Sequence, residues 1–480
     1  METIHNIVDG KAVAAADGRT LDIVDPSTGE VYATSPLSGP DDVDAAFRSA
    51  RTAYRGDWGA TTPSDRMNAL LAIADAVQEH AEELVEIEHR DTGKPKGLTM
   101  SEEIGPMVDQ FRFFAGAARH LQGTAAAQYM AGHESYVRRE PLGVVGAVTP
   151  WNYPMMMATW KIGPALAAGN TLVIKPSDTT PASTVRMGEL FAEILPPGVL
   201  NVVCGDRSTG AALAAHPIPA MVAITGSTAA GRAVATATAQ NVARAHLELG
   251  GNAPVVVFDD ADIAAAAEAI AIAGFFNAGQ DCTAASRVLA SRAIADELAA
   301  AIAEQAQAVR FSRDEEPDSD DLYIPPINNA DQLAKVSGLV DRLPSHARLL
   351  TGGSAADGAG YFYTPTVVAG VKQDDEIAKN EIFGPIITVQ TFADEAEALE
   401  LANDTPYGLS SSVFTTDHSR AIRMSRALEF GCVWINTHIP LVAEMPHGGF
   451  KESGYGKDLS NYSLEDYTRV KHVMSAVSDA

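Results

Sequence analysis

Apolar residues recur at three- and four-residue spacing from Met67 to Ile87 in the stretch SDRMNALLAIADAVQEHAEELVEIEHRDTG. That period predicts one continuous amphipathic helix, capped at its start by Ser64 and ended by Gly93. From 144 to 260 the pattern changes to short apolar runs, VVGAVTP, NTLVIKPS, VLNVVCG, MVAITGS and APVVVFDD. Between them lie longer helical stretches such as PMMMATWKIGPALAAG and PASTVRMGELFAEI. Buried strands alternating with helices predict a parallel sheet with crossover connections, and so a nucleotide-binding α/β domain. A second α/β region is expected from about 251 to 458, with strands at RVLA, IITVQTF, SSVFT and CVWIN. The stretch ESYVRREPLGVV alternates like an exposed hairpin, an arm of the kind that meets another subunit.

The 480 residues exceed one small core, so two or three domains are expected. An apolar fraction of 46% and a charged fraction of 20% belong to an ordinary soluble chain. A formal net charge of −27 repels phosphate and so argues against nucleic acid or an anionic membrane as partner. The same charge suits a cationic substrate, although solubility alone accounts for it. The first twenty residues lack a basic segment followed by an apolar run, and IAAAAEAIAIAGFF at 263–276 is too short, and interrupted by Glu268, to span a bilayer. A cytoplasmic location follows as the expectation. The acidic stretch RDEEPDSDDL at 313–322 reads as a solvated loop. Cys204, Cys282 and Cys432 show no spacing for zinc or a disulfide framework, so no metal is expected and any cysteine function is chemical.

Taken singly, the candidate residues leave two readings open. Gly226-x-x-x-x-Gly231 follows a strand and opens a helix, where backbone amides hold phosphate, but it is neither a Walker loop nor G-x-G-x-x-G. A glycine turn for tight strand–helix packing explains it equally. Cys282 alone is as readily a small buried hydrophobe, and Glu248 a surface carboxylate.

The conjunction is more specific. PWNYP at 150–154, IKPSD at 174–178, TGSTAAGR at 225–232, LELGGN at 247–252, GQDC at 279–282 and EIFGP at 381–385 stand in the order and spacing of one family. They resemble the aldehyde dehydrogenase superfamily, over essentially the whole chain. Within it, FNAGQDCTAASR, WINTHIPLVAEMPHGGFKESGYGKD and LEDYTRVKHVM resemble the γ-aminobutyraldehyde dehydrogenases. The resemblance implies an α/β fold in three parts: a Rossmann-type NAD-binding domain (1–118 and 142–250), an α/β catalytic domain (251–458) and a small β oligomerisation arm (119–141 and 459–480). A homo-oligomer is implied, a tetramer rather than a dimer.

The resemblance also implies roles. Cys282 would attack the aldehyde as a thiolate, with the oxyanion held by the Asn152 carboxamide and the Cys282 backbone amide. Hydride would leave to NAD, and Glu248 would activate water to break the thioester. Lys175 would reach the adenosine ribose, Ser227 and its helix the pyrophosphate, Glu381 the nicotinamide ribose and Phe383 the nicotinamide ring. Trp151, Ser177, Gly226, Gly231, Leu249 and Gly250 complete the implied cofactor set. Asp178, where many NAD-using relatives carry glutamate, still favours a free 2′-hydroxyl, so NAD is preferred and NADP remains open.

The residue before the nucleophile, Asp281, sets the substrate expectation. Facing the tail of the aldehyde, its carboxylate would pair with a cation and repel an acid. Asp109 at the tunnel mouth and the aromatic faces of Tyr153, Trp160 and Trp434 agree with a cationic tail. The expected reaction is oxidation of putrescine-derived 4-aminobutanal to 4-aminobutyrate. Betaine aldehyde, a broad aldehyde range, and a catalytically silent relative remain as alternatives.

Overall fold

A computed structural model of the chain describes residues 2–316, 319 and 321–477. Pro317, Asp318 and Asp320 of the expected acidic loop, and 478–480 of the expected arm, lie outside the described residues.

An eight-stranded sheet has five parallel strands at its centre, in the spatial order Arg244–Leu249, Met221–Gly226, Val144–Val148, Thr171–Lys175, Leu200–Val202. Four of these are predicted strands, and the fifth, Arg244–Leu249, which the apolar pattern did not separate, carries Glu248 as its penultimate residue; the remaining predicted strand, APVVVFDD, is Pro254–Val257 of the second sheet. Chain order reverses between Val144–Val148 and Met221–Gly226, and the crevice at the carboxyl ends there is where open α/β sheets bind ligands. The short strand Gly454–Tyr455 closes one edge, antiparallel to Arg244–Leu249.

A seven-stranded sheet is built from residues 254–435. It contains the expected strands Arg287–Ser291, Ile386–Phe392, Ser410–Phe414 and Cys432–Ile435, and is parallel apart from its edge strand Arg348–Thr351. A third, antiparallel sheet joins Ala127–Met130, His133–Pro141 and Thr468–Ala476, pairing Thr468 with Pro141 through to Ala476 with His133. Its last strand leaves Val470 and Met474 exposed. Among the described residues no helix is long and apolar enough to cross a membrane.

The helix expected over 64–93 is two helices, Pro63–Glu79 and Ala81–Thr92, broken at His80. It starts at Thr62 rather than Ser64, because Thr62 accepts from the Asp65 amide and Pro63 is preorganised for the first turn. Gly93 ends it in the left-handed conformation, with φ of 71°.

The helix Pro154–Ala168 is buried on every side and carries Lys161 into the interior. Its ammonium pairs with Asp458, both side chains fully out of water, and Asp458 also accepts from His246 at 3.1 Å. Burial pushes the Asp458 carboxyl up, but Lys161 and His246 outweigh it and hold it down at about 2. This pair fastens the segment after residue 454 to the first sheet. Lys161→Met strands a buried carboxylate and is expected to lower stability by about 3–5 kcal/mol, most of it recovered in Lys161→Met/Asp458→Leu. Urea unfolding of the three proteins checks this.

Candidate active site

Cys282 lies in the connection between the helix Ile263–Phe275 and the strand Arg287–Ser291. Three successive residues there, Asn277, Ala278 and Gly279, are left-handed, with φ of 50°, 55° and 66°. For the two that carry a Cβ this costs roughly 1–2 kcal/mol each. The surroundings hold the turn. The Asn277 amide donates to the carbonyls of Asn152 (3.0 Å) and Gln280 (3.2 Å). Gln280 donates to the carbonyls of Asn277 (3.0 Å) and Pro326 (3.1 Å) and accepts from the Asn328 amide (2.9 Å). A Cβ on Gly279 would sit 2.2 Å from the Gly384 oxygen, so only glycine fits. The Asn152 carboxamide donates to the Gln280 carbonyl at 3.0 Å, tying the turn after Val144–Val148 to the cysteine loop. Behind Cys282, His438 meets the Thr283 carbonyl at 2.7 Å and Ser412 Oγ at 2.8 Å.

The Cys282 sulfur is 4.0 Å from Glu248 Oε2. His447, reached through the segment after Cys432–Ile435, puts its Nε2 3.6 Å from Glu248 Oε1. Burial, then the charge of Asp458, pushes the Glu248 carboxyl up to about 8, with Lys161 opposing. Burial pushes the His447 ring down to about 4, so it is neutral at pH 7. Burial, followed by Glu248, Asp281 and Glu381, pushes the Cys282 thiol well above its usual value. The arrangement gives a thiol with a proton acceptor in reach, a nucleophile–base pair in chemical terms.

Cys282, Glu248, Asn152 and His447 line a cavity of about 1700 Å³ that extends to the carboxyl ends of the central strands. On that side the helix Thr228–Gln240 begins at Ser227, whose Oγ accepts the Ala230 amide, and Gly226 and Ser227 border the cavity. Lys175, Ser177, Asp178, Leu249 and Gly250 also line it, with the Lys175 ammonium donating to the Pro176 carbonyl at 2.7 Å. Glu381 accepts from the Gly251 amide at 2.9 Å, and a Cβ on Gly250 would lie 2.3 Å from Glu381 Oε2. Trp151 and Phe383 meet edge to face, centroids 5.1 Å apart. A helix amino end, a lysine and a carboxyl along one groove fit a dinucleotide. Gly231 is a correction to the cofactor set: it does not border the cavity, and a Cβ there would lie 2.4 Å from Leu249. It serves helix–strand packing.

On the other side Asp109, Tyr153 and Trp160 line the cavity, joined by Glu102, which the sequence reading missed. Asp109 and Glu102 are exposed, as groups at a mouth would be. Asp281 departs from expectation. It is not among the lining residues, and both its oxygens are engaged: Oδ2 by the Tyr153 hydroxyl (2.8 Å), Oδ1 by the Thr283 amide and hydroxyl (2.7 Å each). Trp434 also stands off the cavity, its indole donating to the Pro440 carbonyl at 3.0 Å, while Pro440 itself lines the wall.

Three features escaped the sequence reading. Glu102 stands seven residues before Asp109, a spacing that puts both on one side of a helical run. His447 was visible only as a histidine before two glycines, and the Lys161–Asp458 pair joins residues 297 apart.

The profile of the aldehyde dehydrogenase family matches residues 13–473 of this chain. A betaine aldehyde dehydrogenase from Staphylococcus aureus, solved in complex with NAD+, is 35% identical and superimposes with a TM-score of 0.95, covering 99% of this chain and 95% of that one. An aldehyde dehydrogenase from Bacillus cereus, also solved with NAD+, is 34% identical with a TM-score of 0.96, covering 99% of this chain and 97% of that one.

The raised thiol predicts slow alkylation of Cys282 by iodoacetamide at pH 7 in the protein without ligands. Glu248→Gln is expected to speed it several-fold at pH 9, where the Glu248 carboxyl, pushed up to about 8, is ionised, and to change it little at pH 7; peptide mass spectrometry after timed quenching reads the rate at each cysteine.

Proposed function

The chain belongs to the aldehyde dehydrogenase family, and on that premise we propose that it oxidises small cationic aldehydes, 4-aminobutanal first among them, with NAD as the hydride acceptor. The observation that carries the reading is one cavity holding a half-buried cysteine beside a buried glutamate, a helix amino end on one side and two exposed carboxylates on the other.

The Cys282 sulfur attacks the carbonyl carbon, its proton passing to Glu248 or to solvent, and a thiohemiacetal oxyanion forms beside the Asn152 carboxamide. NAD, when bound, supplies the acceptor for the hydride that this collapse releases, and the chain is left as a thioester at Cys282. Lys175, the Ser227 helix end and Glu381 hold the dinucleotide, with Trp151 and Phe383 as the aromatic wall. Asp178 disfavours a 2′-phosphate by charge, which supports NAD over NADP. Glu248 then takes the proton of the water that hydrolyses the thioester, a role for which a carboxyl near 8 is well matched at mildly alkaline pH.

The amine of the substrate meets Asp109 and Glu102, free carboxylates on the cavity wall, with Tyr153 and Trp160 offering ring faces. Asp281 acts differently: it positions Tyr153 and Thr283 and adds negative charge beside the sulfur. A cationic tail in the cavity offsets that charge and so favours the thiolate. The three-stranded sheet, with Val470 and Met474 exposed on its last strand, supports assembly into a homo-oligomer, a tetramer on this reading.

NADH formation with 4-aminobutanal, betaine aldehyde, succinate semialdehyde and butanal tests the substrate reading. The expected order of kcat/KM places 4-aminobutanal first and succinate semialdehyde last. Asp109→Asn/Glu102→Gln should lower kcat/KM for 4-aminobutanal about three- to tenfold and leave butanal unchanged, since exposed pairs contribute up to about 1 kcal/mol each. Asp281→Asn, which removes the negative charge beside the sulfur that only a cationic tail offsets, should narrow the lead of 4-aminobutanal over butanal. A lead for butanal would refute the amine reading and leave the dehydrogenase chemistry standing.

A further inference from the structure

Among the polar atoms around the nucleophile that have no hydrogen-bond partner are Glu248 Oε1 and both ring nitrogens of His447. The Glu248 and His447 side chains are 1% and 2% exposed, and both line the cavity. Buried polar groups are normally paired, and an unpaired carboxyl oxygen and ring nitrogen turned towards one another call for a ligand. They do not satisfy each other, since Nε2 and Oε1 stand 3.6 Å apart. His447 is fixed in that direction. Its backbone amide and carbonyl pair with Asp458 on both sides (2.8 and 2.7 Å), and its ring meets Trp160 edge-on at 5.2 Å.

One donor atom from each of Glu248, Cys282 and His447 can be chosen so that all lie within 4.8 Å of one another. A tetrahedral ion with bonds of about 2.0–2.3 Å to nitrogen, oxygen and sulfur needs its ligand atoms roughly 3.3–3.7 Å apart. The His447–Glu248 separation of 3.6 Å, to Oε1, meets that as it stands; the Cys282–Glu248 separation of 4.0 Å is to Oε2, so a shared oxygen needs the carboxyl to turn. Closing the span of 4.8 Å to that spacing falls to side-chain rotation of Cys282 and Glu248 together. Imidazole, thiolate and carboxylate together suit zinc and its soft relatives, whereas magnesium and calcium take oxygen ligands. Three protein ligands facing a cavity leave a fourth position for water, the form of an open site.

We propose that Glu248, Cys282 and His447 form a reversible binding site for one soft divalent cation of the zinc class. Binding replaces the thiol proton with a metal–sulfur bond and releases any proton held by Glu248, both to solvent; nothing is oxidised or reduced. Because the sulfur is the proposed nucleophile, the bound ion excludes the aldehyde and inhibits oxidation, a consequence that rests on the function proposed above while the binding itself does not. The three ligands lie 34 and 165 residues apart, so cysteine spacing had no means of showing them.

Cobalt(II) titration tests the site without reference to activity, because a thiolate–cobalt bond gives a near-ultraviolet charge-transfer band and tetrahedral geometry gives strong visible bands. The expected result is one equivalent per chain, displaced by zinc and untouched by excess magnesium. The charge-transfer band should vanish in Cys282→Ser, persist in Cys432→Ser, and need at least about tenfold more cobalt in His447→Phe. Zinc should inhibit NADH formation in the unmodified protein, with recovery on adding chelator. Absence of the band, its survival in Cys282→Ser, or equal affinity in a folded His447→Phe would overturn the proposal. Cobalt binding without inhibition by zinc would instead place the failure in the assignment of the nucleophile.

Discussion

Cys282 and Glu248 stand 4.0 Å apart with the carboxyl almost wholly buried, and two acids this close cannot readily both ionise. Glu248 pushes the proton loss of the sulfur upwards, and Asp281 and Glu381 add to that pressure. The structure therefore keeps its most reactive group silent in the absence of positive charge. On the proposed function that is useful, because a cationic aldehyde brings the charge that favours the thiolate along with the carbonyl it attacks. A site built the opposite way, with a lysine or arginine against the sulfur, would hold a standing thiolate open to oxidation and alkylation.

Holding that pair in place falls to features remote from the chemistry. The left-handed run at 277–279 is unfavourable by itself and is sustained by Asn152, Gln280, Pro326 and Asn328 around it. Glu248 arrives from the other sheet, at the carboxyl end of a strand next to the topological switch. Lys161 and Asp458 meet beneath it, and each changes the Glu248 carboxyl in an opposite sense, Asp458 raising and Lys161 lowering it. A structural ion pair thus also sets the charge state of the catalytic candidate.

The strand pattern was legible because parallel strands buried on both faces are short continuous apolar runs, and those at 144–148, 171–175, 221–226 and 254–257 stand where the pattern put them. Helix boundaries were less legible: His80 breaks an apolar period that runs through it unchanged, and Thr62 rather than Ser64 carries the capping box. For the site, the motif segments did converge on one cavity. What their spacing left open was which side chains turn towards it. Asp281 adjoins the cysteine in sequence yet faces Tyr153 and Thr283, Gly231 lies in a motif yet packs under Leu249, and His447 entered from far along the chain.

The pairing of nucleophile and base is most directly tested by acid-quenching the enzyme within one turnover of 4-aminobutanal and NAD, across a range of pH, and weighing the peptide that contains Cys282. The account predicts an acyl adduct on Cys282 whose breakdown quickens up to about pH 8 and then levels off as Glu248 loses its proton, and an adduct that persists in Glu248→Gln. An acyl group found elsewhere, or an adduct that breaks down as fast in Glu248→Gln as in the unmodified enzyme, would contradict it.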